Sequence, residues 1–402
     1  MSSAVSDTAA RAVQKITGSA LGRYQSAVVR IGFSLTWLLF LLRELPHRRE
    51  LYGPHSPWGW DMAQQLIADN HAFTLLMWTD STTWFELVYA VAVLSSVLLL
   101  LGWHTRVASL LFMVGVLSLQ NRSVFLGDGG DNVVHLMSTY LVMTRCSQVW
   151  SLDARRAARA EKKADGTGAT PEVSRDRVGP LLWAVFGVVL AAVTLLGKMS
   201  GGWELFFWAM WLVQGLWWAV CRHAPGQPRI FLDVVANLAH NATLVVIMAE
   251  VCLIYSTAGW YKIQGSRWQD GTALYYPLNL HYFAPWPGLS SLLASSGVMV
   301  MLLTYGTVIV QVAFPFTLFN RRVKNVLLVA MMLEHAGIAV LLGLPFFSLA
   351  MIAADAVFLP TGFLLWLGGL STRVTSRAGA GPRSLIGPRR AADGEQPRTL
   401  VG

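Results

Sequence analysis

Apolar runs of roughly twenty residues recur from Tyr24 to Leu367, and nothing else in the chain limits its fold so strongly. A helix of ~20 apolar residues crosses the ~30 Å hydrocarbon layer of a bilayer. A soluble core cannot be apolar on every side of every helix. The chain therefore reads as all-α, a polytopic transmembrane helical bundle. Charged residues make up only 13% of it, against about 25% in soluble domains. The 17 tryptophans fit as well, because indole gathers at membrane interfaces.

The runs divide into about ten spans: Tyr24–Leu42, Thr83–Trp103, Val107–Phe125, Asp131–Arg145, Leu181–Gly197, Trp203–Cys221, Val234–Lys262, Gly297–Phe319, Val326–Gly343 and Phe346–Leu367. The last two are joined only by Gly343-Leu344-Pro345, and Asp355 interrupts the final run. Nine spans plus a re-entrant segment is the alternative.

The net charge of +9 does not indicate nucleic acid, because the basic residues sit between spans and in the tail rather than on one soluble face. They report orientation, since loops rich in Lys and Arg stay cytoplasmic. With the N-terminus inside, Arg23, Arg106, Arg145, the Arg155–Arg177 cluster, Arg222, Arg229 and Arg321–Lys324 all fall on the inner side. The outer side carries only Arg43, Arg48, Arg49, Lys198, Lys262 and Arg267, while Arg30 and Arg122 lie within spans. The expectation is a multi-pass protein of the cell membrane with both termini cytoplasmic.

Residues 1–22 form a cytoplasmic segment in which Ala10, Val13, Ile16 and Ala20 recur at helical spacing around Arg11 and Lys15. That pattern suits a short helix lying on membrane lipids, or a disordered tail. Residues 23–368 form the membrane domain. Within it, 151–179 reads as a flexible charged loop; 369–402 reads as a disordered basic tail touching anionic lipid. No large soluble domain and no internal repeat is evident. Cys146, Cys221 and Cys252 show neither a disulfide framework nor metal spacing, and no metal is expected. The long loops 43–82 and 264–296 are aromatic and poorly charged, as if folded back over a cavity between the helices.

Ionisable groups inside spans cost roughly 2.5–3.5 kcal/mol on insertion scales and need partners or roles. Lys262 closes a long apolar run within Ala258-Gly259-Trp260-Tyr261-Lys262, and Trp268 and Asp270 follow. Such an amine is either anchored in the headgroups or held in a dry pocket as a general base. A second cluster is Asn121-Arg122 followed by Gly127-Asp128-Gly129-Gly130-Asp131-Asn132 and His135. Asp131 or Asn132 is expected to cap the next helix, and Asp128 or Asp131 to pair with Arg122. A third set comprises Asn237, His240, Asn241, Glu250, Gln311, Glu334, His335 and Asp355. Interhelical hydrogen bonding accounts for Asn237, Asn241 and Gln311. A histidine beside a carboxyl can relay protons, which keeps Glu334, His335 and Asp355 open to function.

At these residues the chain resembles the HTTM (horizontally transferred transmembrane) domain family, shared with vitamin K-dependent gamma-carboxylases. The resemblance rests on Asn121-Arg122 with Gly129-Gly130-Asp131-Asn132, on Ala258–Lys262 with Trp268 and Gly271, and on His335-Ala336-Gly337 with Gly343-Leu344-Pro345 and Asp355-Ala356-Val357. It covers about Tyr24 to Pro360. It implies that Lys262 deprotonates a vitamin K-like quinol, whose reaction with oxygen yields a base able to remove a proton from a peptide glutamate. It also points to Arg122, Asp131, Asn132, His135, Trp268, Asp270, Glu334 and His335 as residues of the pocket. The carboxylases' extra-membrane domain has no counterpart, and His135 is offset by about a turn from the family histidine. A shorter branch, the sporulation-delaying protein B group, is also similar. It implies a non-catalytic membrane partner that works with a small protein during maturation of a secreted peptide.

Overall fold

The computed structural model describes residues 2–167, 178–224 and 226–379, and every regular element among them is helical. The first compact unit, Met1–Leu359, opens with α1 (Ser2–Gly18), α2 (Arg23–Glu44), α3 (Arg48–Tyr52), α4 (Trp60–Asn70), α5 (Thr82–Leu101), α6 (Thr105–Arg122) and α7 (Gly129–Val142). It continues through α8 (Leu152–Thr167), α9 (Val178–Leu195), α10 (Gly201–His223) and α11 (Gln227–Gln264). The short helices α12 (Ser266–Gln269), α13 (Tyr275–Asn279) and α14 (Pro287–Ala294) precede α15 (Gly297–Ala313), α16 (Arg321–Leu341) and α17 (Pro345–Asp355). The second unit, Pro360–Gly402, carries α18 (Thr361–Gly379).

Among the described residues seven helices are long and apolar enough to cross a membrane, and an eighth candidate combines Pro345–Phe358 with Thr361–Leu370. The sequence reading of ten spans is too generous by that measure. The Asp131–Arg145 run becomes a helix of only 14 residues. The Phe346–Leu367 run is not one helix, because Leu359 is extended ahead of Pro360 and α18 starts afresh at Thr361. A proline cannot donate to the preceding turn and disfavours helix at the residue before it.

α2, α5, α6, α7 and α17 form the core, with Phe33, Trp37, Tyr89, Phe112 and Met137 fully buried. Small residues let these helices approach closely. A Cβ added to Gly115 would come 2.8 Å from the Cβ of Ala92, and one added to Gly32 would come 2.6 Å from that of Ala353. This is the packing mode of helices in lipid, where apolar burial gives little net drive and backbone proximity matters.

Arg30 sits within this core with no exposed surface. Its guanidinium donates to the carbonyls of Leu99, Leu100 (2.9 Å), Cys146 (3.3 Å) and Trp150 (2.8 Å). Two of those carbonyls end α5, where helical partners run out and the dipole is negative. Beyond them Gly102 takes a left-handed turn at φ 66°, which a side chain would disfavour.

The 151–179 stretch is not a loop throughout. Residues 152–167 are α8, built from the helix formers Ala, Arg, Glu and Lys. Its Asp153 accepts from the backbone N–H of His104 (3.0 Å) and Thr105 (2.8 Å), and so caps α6. Residues 168–177 of that stretch and the tail 380–402 lie outside the described residues. Residues 369–379, read from the sequence as part of the tail, belong to α18, which runs to Gly379.

α9 and α10 pair through a reciprocal device. The Trp183 and Trp211 rings stack at 4.3 Å, and each indole N–H donates to the other residue's carbonyl (2.9 and 3.0 Å). Gly187 lies under Trp211 and Gly215 under Trp183. Both helices otherwise expose apolar side chains such as Val188, Leu195 and Leu205, as lipid-facing helices do.

Residues 2–18 of the N-terminal segment are helical. Asn237, His240 and Asn241 on α11 grip the end of α1. The Asn241 amide donates to Ile16 and Ser19 carbonyls (2.8 and 3.0 Å), and its oxygen accepts from Leu21 N–H (2.8 Å). Asn237 Nδ2 donates to Thr17 (2.9 Å), and His240 Nε2 lies 2.8 Å from the Leu21 carbonyl. The interhelical reading of the two asparagines therefore holds through backbone partners on α1, and Asn237 Oδ1 also accepts from the Arg145 guanidinium (2.7 Å).

Candidate functional site

Helix α11 runs for 38 residues and buries one stripe: Asn237, His240, Asn241, Leu244, Ile247, Val251, Tyr255 and Gly259. These positions recur at the helical period. Lys262, three residues beyond Gly259, continues the stripe and so turns inward. Gly259 lets α15 come close, because a side chain there would strike Val312.

The amine of Lys262 donates to Gln311 Oε1 on α15 at 2.7 Å, and Gln311 Nε2 donates to Glu334 Oε1 on α16 at 2.6 Å. One amide thus bridges a cation and a carboxylate that do not touch. The Trp268 ring centroid lies 5.3 Å from the amine, a cation–π distance. Lys262 and Glu334 are half-buried and Gln311 is buried.

Gln311 is ~21 Å along α15 from Gly297, at 1.5 Å per residue. The chain after Lys262 then climbs back along α15. Tyr305 Oη donates to the Gln269 carbonyl (2.8 Å), Leu274 N–H donates to Thr304 Oγ1 (3.3 Å), and Gly271 rests against Met301 and Tyr305. Irregular backbone beside apolar helices must satisfy its own polar groups. It does so through turns, with Gly265, Trp268, Gln269, Asp270 and Thr272 N–H groups all bonded within 262–272.

About two turns before Lys262 along α11, a second set meets. The Tyr255 hydroxyl donates to both carboxylate oxygens of Asp355 (3.0 and 3.1 Å) and lies 3.0 Å from Nε2 of His335. The consecutive residues Glu334 and His335 thus serve different networks.

Asp270 is not brought to the amine. It is exposed and shapes a turn, accepting from the N–H (3.0 Å) and hydroxyl (2.5 Å) of Thr272. The α6–α7 group forms a separate site altogether. Arg122 does not pair with Asp128 or Asp131. Its Nη2 donates to the Gly53 carbonyl (2.9 Å), Ser56 Oγ (3.0 Å) and the Trp58 carbonyl (3.1 Å), which ties down the aromatic loop. The helix cap is Asp128, not Asp131 or Asn132. Asp128 accepts from Gly130 and Asp131 N–H, and Asp131 returns a bond to the Asp128 N–H (2.9 Å), a capping box. Asn132 is exposed. His135 Nδ1 lies 3.0 Å from Gln120 Oε1 on α6. Among the described residues no hydrogen bond links Arg122, Asp131, Asn132 or His135 to the Lys262 network.

Sequence reasoning passed over Tyr255 and assigned Gln311 to interhelical hydrogen bonding, which its bonds to Lys262 and Glu334 bear out. Tyr255 carried a usable signal, being seven residues before Lys262 and on its face. Gln311 carried a weaker one, as an amide inside an apolar run. No group of His, Cys, Asp and Glu among the described residues is arranged to hold a metal. No family model, no characterised protein and no solved structure matches the chain.

Proposed function

We propose that this membrane protein performs acid–base chemistry on a lipid-soluble quinol at Lys262, in the manner of the HTTM domains it resembles. The observation that carries the reading is the Lys262–Gln311–Glu334 chain inside apolar helices. A lysine spending one of its three donors on a neutral amide keeps capacity for a substrate oxygen. Flat aromatic neighbours also suit a quinol: the Trp268 indole is beside the amine, and Trp260 and Tyr261 are exposed on the adjoining helix surface. A quinol bound there would supply an acidic phenolic O–H and, with oxygen, oxidising power.

In this reading Lys262, as the neutral amine, takes the phenolic proton. Gln311 fixes the amine's direction, because its own amide is held by Glu334. Glu334 balances the ammonium that results. A second reading, a non-catalytic membrane partner for a secreted peptide and a small protein, draws on the exposed Tyr275, Tyr276, Tyr282 and Trp286 of the 264–296 segment.

The test is oxygen consumption by full-length protein in lipid nanodiscs supplied with a reduced naphthoquinol. Lys262→Met keeps bulk and removes the amine. A drop of about 100-fold or more is expected, in line with loss of a general base. An undiminished rate in a normally folded variant would defeat the catalytic reading, and retained peptide maturation in that variant would favour the second one.

A further inference from the structure

Three helices bring one phenol, one imidazole and one carboxyl to a single point that the proposed chemistry does not use. We propose that Tyr255, His335 and Asp355 form a proton relay, in which the Tyr255 hydroxyl passes a proton between the Asp355 carboxyl and Nε2 of His335. The three side chains come from α11, α16 and α17 and are 1%, 2% and 0% exposed. Their contacts are all 3.0–3.1 Å. Aromatic rings close the site: Phe314 stands edge-on to Tyr255 at 6.2 Å, and Phe347 lies 5.5 Å from His335.

The argument is a count of hydrogens. A phenol has one hydroxyl hydrogen, and here it has two neighbours at hydrogen-bond distance. Whichever neighbour accepts that hydrogen, the other must supply one to the phenol oxygen. Two arrangements satisfy this with no net charge and no movement of heavy atoms. In one, Asp355 is a carboxylic acid donating to Tyr255, and Tyr255 donates to neutral His335. In the other, Tyr255 donates to the Asp355 carboxylate, and His335 is an imidazolium donating to Tyr255.

Conversion breaks the Asp355 O–H bond and forms one to the Tyr255 oxygen. At the same time the original Tyr255 O–H bond breaks and its proton joins Nε2. Tyrosine is regenerated, and one proton has crossed from carboxyl to imidazole. No oxidant or co-reactant takes part. Burial among rings keeps water from short-circuiting the exchange, and low local dielectric strengthens the coupling. Nδ1 of His335 is buried without a protein partner among the described residues, so it is the one ring nitrogen of the triad not engaged in the exchange. The titratable groups around the triad are Lys262 and Cys252 on α11 and Glu334 on α16.

The alternative is a structural staple of three helices in which nothing moves. Infrared difference spectra of the full-length protein in nanodiscs, recorded through a pH titration, separate the two. The relay requires a carboxyl C=O band, lost in Asp355→Asn, that changes together with an imidazole ring band. In Tyr255→Phe the ring packing stays and only the hydroxyl goes. There the two bands should titrate independently, with at least one midpoint displaced by about one pH unit or more, the scale of directly coupled sites. A Tyr255→Phe protein whose bands still titrate together at the wild-type midpoint would overturn the relay. So would a carboxyl region that Asp355→Asn leaves unaltered. Glu334→Gln, read in the same way, guards against a misassigned carboxyl: it must leave the Asp355 band present. The measurement uses no quinol, so a failed oxidation assay leaves it standing, and a failed coupling leaves the Lys262 reading standing.

Discussion

The arginines buried among α2–α7 and the groups that meet where α11, α15, α16 and α17 cross are held in opposite ways. Arg30 and Arg122 are fully enclosed and bind mainly backbone carbonyls. Lys262, Gln311 and Glu334, and likewise Tyr255, His335 and Asp355, bind one another through side chains. A guanidinium on carbonyls is a fixed donor facing fixed acceptors, so the first arrangement can only hold. An amine, carboxyls, an imidazole and a phenol can exchange protons, so the second can react. Burial of a charged group is thus a poor sign of function until the partner's chemistry is known.

The contrast breaks most easily at Arg30. Arg30→Met should cost about 3 kcal/mol or more, because several enclosed carbonyls lose their donor at about 1–3 kcal/mol each. Thermal unfolding in detergent would read it, and a melting curve like that of wild type would mean the carbonyls are not dependent on this side chain. Arg122→Met should act more locally. We expect a loss of about 1–3 kcal/mol together with faster proteolysis within 53–58, the segment its guanidinium holds. Proteolysis unchanged there would separate Arg122 from the loop.

On the other side, Gln311→Leu should barely disturb folding, at about 1 kcal/mol for interhelical hydrogen bonds in a membrane. Its effect should appear in chemistry instead, as a reduced oxidation rate with an altered pH profile. A large stability loss with normal activity would erase the distinction between the two arrangements. The smallest effect belongs to Asp128→Ala, which removes the capping box of α7 at about 1 kcal/mol and should leave activity intact.

Much of this molecule was legible before any coordinates. The helical class, most helix positions and the long α11 follow from hydrophobic period and spacing, whereas the sequence left Lys262 between a headgroup anchor and an amine held in a pocket. The errors share a cause. Arg122 was given an acidic partner nearby in sequence, yet its acceptors lie 64–69 residues earlier and two of them are backbone carbonyls. Carbonyls carry no residue identity, so no pattern announces them. The α17 break at Pro360 and the helical α8 were visible as a proline and a run of helix formers, and were outweighed by apolar and charged composition.

Sequence by itself determined that apolar helices suited to a bilayer build this chain, and which face of each carries polar groups, because both are properties of a local period. Tertiary structure alone decided that Gln311 stands between Lys262 and Glu334, and Tyr255 between His335 and Asp355. Those meetings depend on where helices cross, which is set by close contacts such as Gly259 on Val312 and Gly32 on Ala353. A crossing point is a relation between distant segments, and a shift of one helical turn would pair different side chains.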